Sequence, residues 1–138
     1  MAPRTRERKE SQSIVQFSSR QFADVVVAAP VGRIDHAAAG ELERALTPLS
    51  PQSDSGRKAL VLDFAGVDYI SSVGLRVLMI AAKQTRGNGA RIAVAALQPV
   101  VAEIFAISRF DNVLELFPSV AGALEKLSAP ALAAFDAA

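Results

Sequence analysis

Leu60-Val61-Leu62-Asp63-Phe64-Ala65-Gly66-Val67-Asp68-Tyr69-Ile70-Ser71-Ser72-Val73-Gly74-Leu75-Arg76-Val77-Leu78 is the stretch that decides how this chain is read. It holds a continuous apolar run of the kind a buried strand shows, a short turn from Gly66, and two serines where an amphipathic helix begins. The first turn of a helix presents backbone N–H groups without intrahelical partners and the positive end of the macrodipole. A hydroxyl there caps the turn, and a phosphate there is accommodated by it. Phosphorylation would add roughly −1.5 to −2 charges to a neutral surface, so a serine at this place is a candidate switch.

Working outward, the periodicity alternates between strand and helix. Ile14 to Phe17 and Val25 to Ala29 read as strands, the second apolar throughout and therefore central. Asp35 suits the N-cap of a helix carrying Leu42, Ala45, Leu46 and Leu49, which Pro48 should end or bend. Ser50 to Arg57 is a polar loop, Ala59 to Phe64 a strand, and Ser72 to Arg86 a helix stopped by Gly87-Asn88-Gly89. Ile92 to Ala96 reads as a strand, Pro99 as the first turn of a helix ending near Ala106, Val113 to Phe117 as a short edge strand, and Ser119 to Leu127 as a last helix. Beyond Ser128 the Ala-rich end has few anchors and is expected to fray. Strand–helix alternation implies right-handed crossovers and an α/β sheet with helices packed on it.

Composition narrows the function classes. At 138 residues the chain should form one domain. With no cysteine and one histidine, disulfides, thiolate catalysis and Cys-based metal sites are excluded, and a catalytic metal lacks ligands. A net charge of +1 offers no case for nucleic acid or a membrane surface. The polar start, with Arg4, Arg6, Arg8 and Lys9, has no apolar core after it, and no apolar run reaches the roughly 18 residues of a spanning helix, so the expected address is the cytoplasm. His36 beside Asp35 would have to serve any Ser-His-Asp hydrolase, yet Ser72 lacks the Gly-x-Ser-x-Gly elbow, and there is no phosphate-binding glycine loop. The expectation is a protein that is not an enzyme and uses no cofactor.

On Asp63-Phe64, Gly66-Val67-Asp68-Tyr69-Ile70 and Ser71-Ser72-Val73-Gly74-Leu75, the chain resembles the STAS family, and within it the bacterial anti-sigma factor antagonists. Gly32-Arg33-Ile34-Asp35 resembles the family's Gly-Glu-Leu-Asp turn, and Leu97-Gln98-Pro99 opens a helix similar to its later one. The resemblance implies a STAS fold, α/β, with a mixed, mostly parallel central sheet of about four to five strands and helices packed on it. It divides the chain into a flexible polar segment 1–13, a STAS domain 14–127 and an Ala-rich tail 128–138. Aligned on Gly74-Leu75, the family's phosphoacceptor serine falls on Ser72, with Ser71 the second candidate. Ser71 stands where the family has Asp, Arg33 where it often has Glu, and Arg109 where many members have Gly, so the turn at Arg109 needs another geometry or some strain.

What the resemblance implies for function is partner switching. The unphosphorylated form would bind an anti-sigma factor that is a GHKL-type serine kinase, that kinase would phosphorylate Ser72 and release the antagonist, and a PP2C-type phosphatase would reset it. The alternative is a STAS subunit that docks, without phosphorylation, to a transporter ATPase or a larger signalling complex. The candidate partner surface comprises Asp35, Ser71, Ser72, Val73 and Gly74, around the helix start where the resemblance places it, with Arg76 and Ile80 added from the residue pattern. On residue pattern alone, Leu75, Leu78, Met79 and Ala82 face the sheet, and Ser72, Arg76, Ile80 and Lys83 form a second stripe that is either a partner surface or a solvated face with Ile80 widening the core. Gly74 either relieves packing or lets a partner's backbone approach Ser72. Asp35, Ser71 and Ser72 are all compatible with plain helix capping.

Overall fold

Val25-Val26-Val27-Ala28 is apolar on both pleats, and its β-branched side chains suit a strand covered on two faces. All four are buried, and the sheet is built around them. The computed structural model describes residues 14–51 and 56–138; the expected N-terminal segment 1–13 and residues 52–55 of the expected loop lie outside the described residues. Strand β2 (Val25–Ile34) pairs antiparallel with β1 (Ile14–Phe22). On its other side it pairs parallel first with β3 (Ala59–Asp63) and then, from Gly32, with β4 (Val67–Ile70). Pro30, which has no N–H to donate, falls where β2 passes from one neighbour to the next. Strand β5 (Arg91–Ala95) pairs parallel with β3, and β6 (Glu115–Phe117) with β5 at the edge.

The sheet is mixed and mostly parallel, as expected, but it has six strands instead of about four to five. The added strand is β4, whose residues read as a turn. Its register with β2 runs Gly32↔Val67 and then Arg33↔Tyr69, so Asp68 is an extra residue on β4. That bulge resets the alternation and lets Val67 and Ile70, three apart, both point into the core. A spacing of three hides the strand from a search for period two.

Alternate strand residues go to opposite faces. Val26, Ala28, Leu60, Leu62, Ile92 and Val94 form one core with helices α1 (Ala39–Leu46), α2 (Ser72–Gly87) and α3 (Pro99–Ile107). Val25, Val27, Ala59 and Val61 form the other with α4 (Val120–Leu127) and α5 (Ala129–Ala137). Helix α1 stops at Leu46 and gives way to a 3-10 turn, Thr47–Leu49, that holds Pro48. An edge-to-face row of Phe64, Phe105 and Phe110, with centroids 6.3 and 5.6 Å apart, ties α3 and the turn after it to the end of β3. Arg109 there adopts φ 63°, ψ 28°, the left-handed conformation that favours glycine, so the strained alternative holds. Among the described residues no helix is long and apolar enough to cross a membrane.

The end expected to fray is helix α5. Ser128 caps it, its hydroxyl accepting from Ala131 N at 3.2 Å and donating to Asp24 Oδ1 at 2.6 Å. Phe135 meets Phe22 edge to face at 5.3 Å, and Ala131 is buried. Both anchors lie in the β1–β2 hairpin, about a hundred residues earlier, where no local pattern reveals them.

Candidate functional site

The β2–β4 pairing builds the site. Ile34 and Ile70 are partners, so the chain leaves the sheet at Asp35 and Ser71 side by side, and Ser71 N donates to Ile34 O at 2.8 Å. Asp35 Oδ1 accepts from Ala38 N at 3.0 Å and its carbonyl accepts from Ala39 N at 3.2 Å. Asp35 thus caps the turn that leads into α1, and the regular helix starts at Ala39.

The two serines take different roles. Ser71 is the N-cap of α2, in extended conformation, half-buried, with Oγ accepting from Gly74 N at 3.1 Å. Ser72 is the first helical residue and is exposed. No acidic side chain occupies the first turn of α2, so nothing on that turn offsets the positive end of the macrodipole.

The remaining candidates divide by the face they occupy. Arg76, Ile80 and Lys83 lie on the exposed side with Ser72, and Ile80 is 40% exposed. Arg76 forms no ion pair among the described residues. Leu75, Leu78 and Ala82 are buried, and Met79 and Val73 are half-buried against the core. Gly74 points inward: a Cβ there would sit 2.8 Å from Ile70 Cγ1 and 2.9 Å from Ile34 Cγ2. Its missing side chain is occupied by packing between α2 and the β2–β4 pair.

One contact at this edge had no signal in the sequence. The Arg33 guanidinium lies 4.0 Å from the centroid of the Tyr69 ring, its cross-strand partner, which holds an exposed cation beside the strand that feeds Ser71. Only recognition of β4 as a strand could have paired them. Among the described residues no group of three or more His, Cys, Asp or Glu is placed to hold a metal ion.

The model of the STAS domain family matches residues 16–123, from β1 into α4. The chain belongs to the STAS domain family. BtrV of Bordetella bronchiseptica, named as an anti-sigma factor antagonist, is 40% identical to this STAS protein over 94 residues, 68% of the present chain and 76% of BtrV. The crystal structure of an anti-sigma factor antagonist from Mycobacterium paratuberculosis matches with a TM-score of 0.72 and 26% identity, covering 81% of this chain and 92% of that one. SpoIIAA of Bacillus in its phosphorylated form shares the fold, with a TM-score of 0.61 at 13% identity over 80% of this chain and 98% of that one. This STAS protein therefore stands with the anti-sigma factor antagonists, and its helix α5 lies beyond the matched residues.

Proposed function

We propose that this protein works by partner switching: unphosphorylated, it binds an anti-sigma factor that is a GHKL-type serine kinase, and phosphorylation of Ser72 by that kinase releases it. A PP2C-type phosphatase restores the binding form, and the cycle runs in the cytoplasm. The observation that carries this reading is the division of labour between the serines. Ser71 spends its hydroxyl on the N-cap, whereas Ser72 stands exposed at the head of α2. A kinase can reach Ser72 without opening the helix start.

The physical basis of release is charge in an interface. A phosphate on Ser72 sits at a helix N-terminus, which tolerates it, so the fold persists in both forms. Within a close-packed contact the same dianion must be desolvated, at a cost of several kcal/mol. Since about 1.4 kcal/mol is tenfold in affinity, that cost empties the complex. Asp35 at the neighbouring turn, with Arg76 and Ile80 one and two turns along α2, would complete the contact. Val73 and Gly74 would take part by setting the helix start against the sheet.

Incubation with the serine-kinase anti-sigma factor and ATP should add one phosphate, located on Ser72 by tandem mass spectrometry and absent from Ser72→Ala. Phosphate found only on Ser71 would reject the assignment to Ser72, and phosphate on neither serine while the kinase still binds would reject the switch and favour a docking subunit.

A further inference from the structure

The two ends of the sheet are finished differently. At one end β6 is three residues long, and its Glu115 is tied to Arg91 by two hydrogen bonds of 2.9 and 2.6 Å. A short, charged edge of this kind resists pairing with another chain. At the other end β1 runs for nine residues, and among the described residues it pairs with β2 alone. From Gln16 to Gln21 it holds no proline, lysine, aspartate or glutamate. Ser18, Ser19, Arg20 and Gln21 are consecutive and all exposed, so neither face of the strand is covered there.

The hairpin fixes which backbone groups point outward. Phe22 and Val25 flank the two-residue turn Ala23-Asp24, so they exchange both their hydrogen bonds, and the alternation continues down the ladder. Phe22, Arg20 and Ser18 therefore spend their N–H and C=O groups on β2, and Gln21, Ser19 and Phe17 aim theirs away from it. The far side of β2 agrees with this parity. Pro30, opposite Phe17, stands where β1 asks for no N–H, and Gly32 N donates away from β1, to Gly66 O at 2.8 Å.

We infer that this edge pairs with the same edge of a second copy, antiparallel across a two-fold axis at Ser19. In that register Ser19 faces Ser19 and Phe17 faces Gln21, and three pairs exchanging two bonds each give about six main-chain hydrogen bonds. Arg20, the one charge in the stretch, faces Ser18. Its guanidinium lies 4.9 Å from the centroid of the Phe22 ring, on the side away from the axis, which keeps the two cations apart. The neighbouring registers are worse. An axis one residue earlier sets Gln21 against the bulge between Ile14 and Gln16, and one residue later it sets Arg20 against Arg20 and Phe17 against the turn. A contact of one strand per copy is narrow, so the dimer belongs to the weak class. None of these residues lies in the surface proposed around Ser72, so the inference stands apart from the switch.

Sedimentation velocity of the full chain from about 10 to about 500 µM tests the association: the sedimentation coefficient should rise with concentration from the monomer's toward the dimer's. Ser18→Glu, which sets a carboxylate opposite Arg20 of the other copy, should lower the dissociation constant about threefold or more, and Ser18→Arg should raise it by about as much. Ser18 is exposed, so far-ultraviolet circular dichroism should show both variants folded. The chain has no cysteine, so single cysteines report the register. Ser19→Cys places two sulfurs across the axis with Cα atoms about 5.5 Å apart, within disulfide reach, whereas Gln21→Cys leaves the Cα atoms about 14 Å apart. Under oxidised glutathione, Ser19→Cys should therefore cross-link roughly tenfold faster than Gln21→Cys. A chain that stays monomeric at the highest concentration overturns the proposal. So does dimerisation that Ser18→Glu and Ser18→Arg shift alike, or equal cross-linking at the two cysteine positions.

Discussion

Gly74→Ala separates the two roles open to the glycine beside Ser72. A Cβ at position 74 would lie 2.8 Å from Ile70 Cγ1 and 2.9 Å from Ile34 Cγ2. Carbon atoms pack best at about 3.5–4.0 Å, so the methyl group intrudes by roughly 0.6–0.7 Å on each. Those isoleucines are 1% and 0% exposed, and the atoms met are at their branch points, so neither can swing aside. Overpacking of this kind costs about 1–3 kcal/mol, against a gain of about 1 kcal/mol from replacing glycine in a helix. Two contacts under 3.0 Å place the overpacking at the upper end, about 2–3 kcal/mol, so the expected net loss is about 1–2 kcal/mol in equilibrium urea unfolding, with an unchanged m-value. Ile34→Leu, which removes the β-branched methyl group, should recover part of that loss, because residues in contact do not add independently. A Gly74→Ala variant as stable as the wild type or more so, yet defective in binding its partner, would refute the packing account and return the glycine to the interface.

Other positions give sharper or simpler readouts. Ser71→Ala should cost about 1 kcal/mol by removing the N-cap, whereas Ser72→Ala should change stability by less than about 0.5 kcal/mol; equal losses in thermal unfolding would contradict the division between the serines. The Ser128 hydroxyl, foremost, then a backbone hydrogen bond at Asp24 itself and the Lys58 ammonium hold the Asp24 carboxyl below its ordinary value against the opposing effect of burial. A depressed folded-state value means that the stabilisation is whole above the ordinary carboxylate range and is lost as pH falls through the folded value, so the stability advantage of the wild type over Asp24→Asn should shrink in acid; a gap independent of pH would show that ionisation plays no part. Arg109→Gly should raise stability by about 1 kcal/mol, because Arg109 is exposed and sits at φ 63°; an unchanged or lower midpoint would show that the side chain contributes more than the strain it carries.

The residue pattern alone carried the helix start at Ser71-Ser72, the exposed stripe of Ser72, Arg76, Ile80 and Lys83, the central place of Val25-Val26-Val27-Ala28 and the helix stops at Pro48 and Gly87-Asn88-Gly89. These are local properties: a period, a cap, a missing N–H or a permissive backbone acts within one or two turns of chain, and the order of residues contains it. The motifs around Ser72 carried the family in the same way. Tertiary structure decided what depends on distant partners. β4 exists because Gly32 to Ile34 offer it a ladder and a bulge at Asp68 turns Val67 and Ile70 inward together. α5 is ordered because Asp24 and Phe22 receive Ser128 and Phe135. Gly74 faces the core because Ile34 and Ile70 meet beneath α2, and only that geometry made Ser71 the cap and left Ser72 to the surface. Each of these rests on a contact between segments tens of residues apart, whose energy is set by register and packing in three dimensions, and no window along the sequence samples it.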